Sequence, residues 1–200
     1  LYSVNARKGG NVSPIPADHS QNLTGIWPKK VVNYKTVMSD AASGFTSVTY
    51  PFPVIRMADL YLMYAEALNE KGEDYATVLP WIDMVRERSG LQGVKESWDQ
   101  YVGNSKYATQ TGLRQIIMQE RRIELAFEGH YFWDVRRWKT ATTVLTQPLT
   151  GWKVRYGETD VDYYSENLVL VRDFTPKMYF WPIDIGELRK DPNLVQNYGW

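Results

Sequence analysis

The sequence predicts a mainly α-helical chain, built from helical hairpins packed as an irregular α–α assembly and decorated by long loops and a few short strands. Three observations carry that expectation. Apolar residues recur at three- and four-residue spacing in three segments between Arg56 and Lys139. Glycines stand where those periodic segments stop, at Gly72, Gly90 and Gly129. The remaining stretches are punctuated by Gly, Pro, Ser and Asn and show no sustained period.

Residues 1–52 read as a loop-rich leading segment, with one short strand expected at Lys30–Met38. The first helix is expected over Arg56–Lys71, with a stripe of Met57, Leu60, Tyr61, Tyr64, Ala65 and Leu68, Asp59 in its first turn and Gly72 as its cap. A tight turn leads to a second helix at Tyr75–Ser89, whose stripe is Val78, Leu79, Ile82 and Val85. Pro80 falls early enough in it to be tolerated. Small residues near the contact (Ala65, Ala67, Ala76) make this pair similar to one tetratricopeptide-like hairpin. Leu91–Thr111 reads as a polar connector carrying Trp98, Tyr101 and Tyr107.

The densest stretch is Gly112–Lys139. Ile116, Glu120, Ile123 and Phe127 share one helix face, and Leu113 and Ile117 widen it. Glu120, Glu124 and Glu128 form a ladder of like charges that repel unless cations meet them. Arg121, Arg122, Arg136 and Arg137 are the nearest cations in sequence. A structural charge network of Glu120, Glu124, Arg121 and Arg137 is therefore expected, because buried charges are paired. After Gly129 a short helix follows, with Phe132, Val135 and Trp138 on one face, and Trp133, Trp138 and Trp181 are assigned to the core. Beyond Thr140 the chain reads as loop, with a short strand at Leu168–Val171 and an aromatic extended run at Met178–Ile183. A capping box at Asp184–Glu187 opens a last helical turn.

Composition narrows the function. Lys plus Arg equals Asp plus Glu, 23 each, so the electrostatic footprint of a nucleic-acid binder is missing. There is no cysteine, which excludes thiolate chemistry and Cys-ligated zinc, and the two histidines, His19 and His130, lie too far apart in sequence for a paired metal motif. No cofactor is expected. Aromatic residues make up 14% of the chain, including eight Trp and fourteen Tyr. Both offer an apolar face and a polar tip, as a stacking surface for sugar rings requires.

Four blocks, taken in order, resemble the C-terminal part of the SusD/RagB family of surface glycan-binding lipoproteins. They are VIRMADLYLMYAEALNE, WIDMVRERSGL, QERRIELAFEGHYFWDVRRW and the tail FWPIDIGELRKDPNLVQNYGW. The tail departs from the family pattern at Asp184, Lys190–Asp191 and Tyr198, which touches turn chemistry. The matches run from about Pro53 to Trp200, so 53–200 is expected to be the C-terminal helical domain of a longer protein. The resemblance implies a non-catalytic role at the outer surface of the cell: binding of oligosaccharide or polysaccharide, and its delivery to a TonB-dependent, SusC-like transporter. It also implies attachment by a lipid anchor outside this chain. The alternative is a scaffold half that grips the transporter with no sugar contact of its own. A glycosidase would need two carboxylates about 5 to 10 Å apart in a cleft, and nothing in the spacing demands that.

Glycan binding calls for flat aromatic faces in exposed loops, flanked by groups that bond hydroxyls. Trp98 has Asp99, Gln100 and Asn104 beside it, Trp152 has Lys153, Arg155 and Tyr156, and Trp27 lies near Asn22 and Lys29. Trp98, Trp152, Tyr156 and Trp27 are the candidate carbohydrate-binding residues. In each case the competing reading is a side chain that plugs its loop onto the core.

Overall fold

A computed structural model describes Pro28 and residues 30–38, 45–153 and 159–200. It is mostly helical, with two small two-stranded antiparallel sheets, as expected. The chain divides into two compact units, residues 29–133 and a second unit described from Asp134 onward.

In the first unit, β1 (Val37–Met38) pairs with β2 (Phe45–Thr46). The longer strand expected from Lys30 is instead a turn. The Asn33 carboxamide oxygen accepts the Lys35 N–H and its carbonyl accepts the Thr36 N–H, both at 2.9 Å, and such an Asx turn competes with extended pairing. α1 (Met57–Lys71) and α2 (Tyr75–Arg88) then form an antiparallel hairpin, with Gly72 left-handed at the turn (φ 91°) and Asp74 capping α2 through the Thr77 N–H.

The predicted α2 stripe is the buried one: Val78, Leu79, Ile82 and Val85. α1 differs. Its buried positions are Ala58, Leu62, Ala65 and Asn69, while Met57, Leu60 and Tyr64 lie exposed and Tyr61 and Leu68 flank the contact. Apolar residues surround α1 on most sides, so periodicity does not select one face. The alanines do so, because they let neighbouring helices approach closely. Trp81 fills the hairpin flank against Tyr61 and Tyr64, the latter edge-on at 4.6 Å.

The polar connector is largely helical. α3 (Val94–Ser97) is followed by a wide turn at Trp98–Val102 and a tight one at Lys106–Ala108. Its cap comes from Asp83 in α2, which accepts the Val94 N–H at 2.8 Å. Val94 and Tyr107 are buried, and the Tyr107 hydroxyl donates to Asp99.

α4 (Gln110–Glu124) packs on α1 and α2 through Leu113, Ile116 and Ile117. Its first residue is cross-linked to the end of α1: the Gln110 amide donates to the Asn69 carbonyl at 2.7 Å, and the Asn69 amide donates to the Gln110 carbonyl at 3.2 Å. The helix ends five residues before Gly129. Phe127, at φ 65°, turns left-handed, and both Ile123 and Phe127 project outward rather than joining the core as expected. α5 (His130–Arg137) follows, burying Val135 and Asp134.

The second unit contains α6 (Ala141–Val144), β3 (Leu149–Trp152), α7 (Asp160–Tyr163), β4 (Glu166–Leu170) and α8 (Ile185–Lys190). β3 pairs with β4, placing Trp152 opposite Glu166 and Gly151 opposite Asn167, with an irregularity at Leu149/Thr150. Val135, Ala141, Tyr163 and Phe174 are buried here. The tail folds back: Gln196 bonds both polar groups of the Ile183 backbone, and the Trp200 indole N–H donates to the Lys177 and Phe180 carbonyls. Asp184 caps α8 through Gly186. Trp133 and Trp181, expected in the core, are 60% and 65% exposed. Trp138 is half-buried beneath the Arg137 guanidinium. On α5 the inward side is taken by Asp134 and Val135, which turns Trp133 outward.

Gly112 sits where α4 passes the 106–108 turn. A Cβ there would lie 2.0 Å from the Lys106 carbonyl and 2.7 Å from the Thr109 hydroxyl that caps the helix. Backbone cannot yield at that distance. Gly112→Ala is expected to destabilise the protein by roughly 1–3 kcal/mol despite alanine's better helix propensity, read as a lower Tm in thermal unfolding. An unchanged or higher Tm contradicts this packing.

Candidate functional site: an aromatic pair on the β3–β4 hairpin

Trp152 ends β3 and is 41% exposed. Its ring meets Tyr164, 59% exposed, at 5.4 Å between centroids and an 84° interplanar angle. Tyr164 in turn meets the buried Tyr163 edge-on at 5.1 Å. The pair is held by the turn beneath it. The Lys153 N–H donates to the Tyr163 carbonyl at 3.0 Å, and the Lys153 ammonium pairs with Asp162 at 2.8 Å. Thr159 caps α7 through the Asp162 N–H, and the Ser165 hydroxyl donates to the Asp162 carbonyl at 2.6 Å. The register sets Glu166 directly across from Trp152, with Asn167 next along β4, and both side chains are exposed. The result is a pair of perpendicular aromatic faces on the side of the ribbon that carries the Glu166 carboxylate, with Asn167 on the opposite side. That combination suits an apolar sugar face with hydroxyls at its rim.

Trp98 has a different setting. It is half-buried against the core of the first unit, and the Lys106 ammonium sits 5.4 Å from its ring centroid. Its neighbour Asp99 is engaged by Lys95 and Tyr107. The structure therefore separates Trp98 from Trp152 and places them in different units. Trp27 and Tyr156 lie outside the described residues. Tyr164 was not singled out by the sequence reading. Its signal is the sequence neighbourhood of a capped turn, Thr159–Asp162, which only the hairpin register brings to Trp152.

The charge network recruits cations from farther away in sequence than expected. Arg56, just before α1, is its centre. Its guanidinium grips Glu128 with two bonds of 2.9 and 2.8 Å, Glu124 Oε1 at 2.8 Å, and the Glu124 carbonyl at 3.1 Å. Arg88 forks onto both oxygens of Glu124 at 2.8 Å, and Arg86 pairs with Glu120. Lys30 binds Glu128 and the Glu124 and Ala126 carbonyls. These two side chains thus take up carbonyls at the C-terminal end of α4, where cations are favoured. Arg121, 3% exposed, donates to Asp59 of α1 at 2.8 Å, and Arg137 pairs with Asp134.

Burial alone would raise the Glu128 carboxyl and lower the Arg56 guanidinium. The partners together outweigh it, Arg56 and Lys30 for Glu128, and Glu128 and Glu124 for Arg56, so Glu128 titrates below and Arg56 above the ordinary value. Asp83 runs the other way: its burial raises it more than the Val94 N–H lowers it. Among the described residues, no group of acids and histidines is arranged to hold a metal ion, and no helix is long and apolar enough to cross a membrane.

The folded protein keeps Glu128 ionised to lower pH than the unfolded chain does. This carboxylate therefore contributes fully above the ordinary glutamate range, about pH 4 to 5, and its contribution is lost as pH falls through the lower folded value. Glu128→Gln should cost roughly 1–3 kcal/mol at neutral pH, and the Tm gap from the parent should close on acidification. Asp83 is common to both proteins and cancels. A gap that stays constant down to pH 3 contradicts the pairing. Glu120→Ala, which removes the carboxylate paired with Arg86, should likewise lower Tm.

A family model of the SusD family matches residues 7–200. SusD-like protein P2 of Formosa agariphila is 36% identical over 145 residues, covering 72% of this chain and 28% of that protein. SusD-like protein P25 of the same organism is 30% identical over 144 residues, covering 72% of this chain and 23% of that protein. Among solved structures, BT4246 superposes with a TM-score of 0.66 at 27% identity, over 78% of this chain and 25% of that one. A SusD-like protein of Bacteroides fragilis, BF3747, gives 0.60 at 28% identity, over 77% and 28%. The chain thus spans about a quarter of the length of these relatives. The four sequence blocks, the helical fold and a family model that covers nearly the whole chain agree, and the chain belongs to the SusD family.

Proposed function

We propose that this chain is part of a non-catalytic glycan-binding protein at the bacterial cell surface, which captures oligosaccharide or polysaccharide for a TonB-dependent, SusC-like transporter. In this reading the protein is held at the outer membrane by a lipid anchor carried outside this chain. Family membership supports the class of function. The observation that carries it to particular residues is the exposed Trp152–Tyr164 pair with Glu166 on the facing strand. Trp152 stacks on the sugar ring, Tyr164 lines the adjoining side, and Glu166 takes a hydroxyl. Trp98 serves mainly as a plug for the 91–111 segment. Binding rather than hydrolysis is favoured because Glu120 and Glu124 are engaged by Arg86, Arg56 and Arg88. A glycosidase needs acids that face a substrate.

A second reading, the scaffold half that contacts the transporter, draws on the exposed Met57, Leu60, Met63 and Tyr64 of α1. Such apolar exposure marks interaction surfaces. Pull-down of the transporter by the intact protein and by a Leu60→Asp variant tests it.

Affinity electrophoresis of the intact protein against a panel of polysaccharides tests the first reading. Trp152→Ala should weaken retardation about tenfold or more, the loss typical of a central aromatic anchor. Trp98→Ala should lower Tm and leave retardation near the parent's. Unchanged binding by Trp152→Ala sinks the assignment of Trp152, and retardation by no polysaccharide sinks the reading itself.

A further inference from the structure

The two rings of the hairpin site meet almost at right angles, 84° apart with centroids 5.4 Å from each other. Trp152 and Tyr164 are both exposed, so each keeps open aromatic surface. At that angle and distance one face makes a floor and the other a wall. The buried Tyr163 lies edge-on to Tyr164 at 5.1 Å and braces the wall. Glu166 stands across the ribbon, on the side that carries Trp152.

A pyranose has two kinds of surface. Its faces are rich in C–H groups and stack on an aromatic ring, while its rim carries hydroxyls that need hydrogen-bond partners. A sugar seated on one ring of the pair turns its rim towards the other. An aromatic face gives a rim hydroxyl no strong acceptor, so a hydroxyl pressed against it loses water without compensation. A methyl group in the same place loses nothing and buries apolar surface. The substituent on C5 of the sugar decides which of the two meets the wall: a hexose carries a hydroxymethyl group there, a 6-deoxyhexose a methyl. An acetamido methyl brings its own N–H and C=O, which need partners beside the wall. Two rings at right angles also share no plane, so they serve one sugar unit from two sides. Successive units of a flat chain would need coplanar platforms.

We propose that this corner is a subsite for a 6-deoxyhexose, whose face stacks on Trp152 and whose C5 methyl group packs on Tyr164. The inference rests on the glycan-capture reading and adds the class of sugar unit that the site takes. The hydroxyls on the rest of the rim are left for the Glu166 carboxylate and for water, and hydrogen bonds to an ionised acceptor are the stronger ones.

The test is affinity electrophoresis of the intact protein in gels copolymerised with glycosides that differ only in the hydroxyl on C6. The pairs are L-fucose with L-galactose, L-rhamnose with L-mannose, and D-fucose with D-galactose, and the polysaccharide panel is run beside them. Each gel carries the parent, Trp152→Ala and Tyr164→Ala. At least one 6-deoxy member should retard the parent, and more strongly than its hydroxylated partner by roughly fourfold or more, the fold-change that burial of one methyl group corresponds to. Trp152→Ala should abolish that retardation, and Tyr164→Ala should close the gap between the two members. The comparison within the parent does not depend on the folding of any variant. Three results overturn the 6-deoxyhexose subsite and leave glycan capture standing: equal retardation by both members, stronger retardation by the hydroxylated one, and retardation by a polysaccharide but by none of the glycosides. A gap that survives Tyr164→Ala, or retardation indifferent to Trp152→Ala, places the selectivity elsewhere and overturns the inference with the corner. Retardation by neither glycoside nor polysaccharide defeats glycan capture, and the inference with it.

Discussion

The first unit depends on one guanidinium. Arg56 stands at the entrance to α1, and four of its hydrogen bonds end on residues 124 and 128. A lysine in its place would be a point charge and would lose the planar fork that fits Glu128. The fork fixes where α1 begins relative to where α4 ends. The Asn69–Gln110 exchange fixes the opposite ends of the same two helices. α1 and α4 are therefore tied at both ends, and the apolar contact between them is left with one register. Arg121–Asp59 adds a further tie between the same helices, nearly free of solvent. The three glutamates that looked like a liability in sequence are the anchors of this frame. Their repulsion is offset by cations from three separate segments, at Lys30, Arg56 and Arg86–Arg88.

That explains which parts of the fold were legible. A partner three or four residues away lies within reach of pattern reading, so the α2 stripe, the Gly72 turn and the Asp184 cap were found. The cations that neutralise Glu124 come from 68 and 36 residues away, beyond the reach of sequence proximity. The end of α4 was placed too late for a related reason. Gly129 is left-handed as expected, but Phe127 turns first, where Lys30 and Arg56 draw on the last carbonyls. The helicity of the polar connector was not legible because its cap, Asp83, belongs to the preceding helix. For α1 the pattern was degenerate: with apolar residues on most sides, only the partners decide which face is buried.

The two tryptophans in polar loops show the same limit at the level of function. Trp98 and Trp152 both stand among polar residues in sequence, Trp98 beside Asp99, Gln100 and Asn104, Trp152 beside Lys153 and Arg155. What separates them is tertiary. Trp98 is drawn onto Val94 and the helical core by a connector that proved to be helical, and Lys106 covers its ring. Trp152 sits on a two-stranded ribbon with little core beneath it, so its ring stays at the surface. A polar loop therefore nominates an aromatic residue, and the neighbouring backbone decides whether it becomes a plug or a platform. Tyr164, the ring that completes the platform, could be found only from the pairing of β3 with the turn before β4.

A two-stranded hairpin is marginal in isolation, yet a stacking ring must be held still to bind well. Here the rigidity comes from polar groups rather than a core: Lys153 to the Tyr163 carbonyl and to Asp162, Thr159 and Ser165 to the α7 turn, and Tyr163 buried below. Asp162 is the centre of that arrangement. Its carboxylate anchors Lys153, next to Trp152, and its backbone N–H and carbonyl hold the turn that carries Tyr164, so one residue positions both rings.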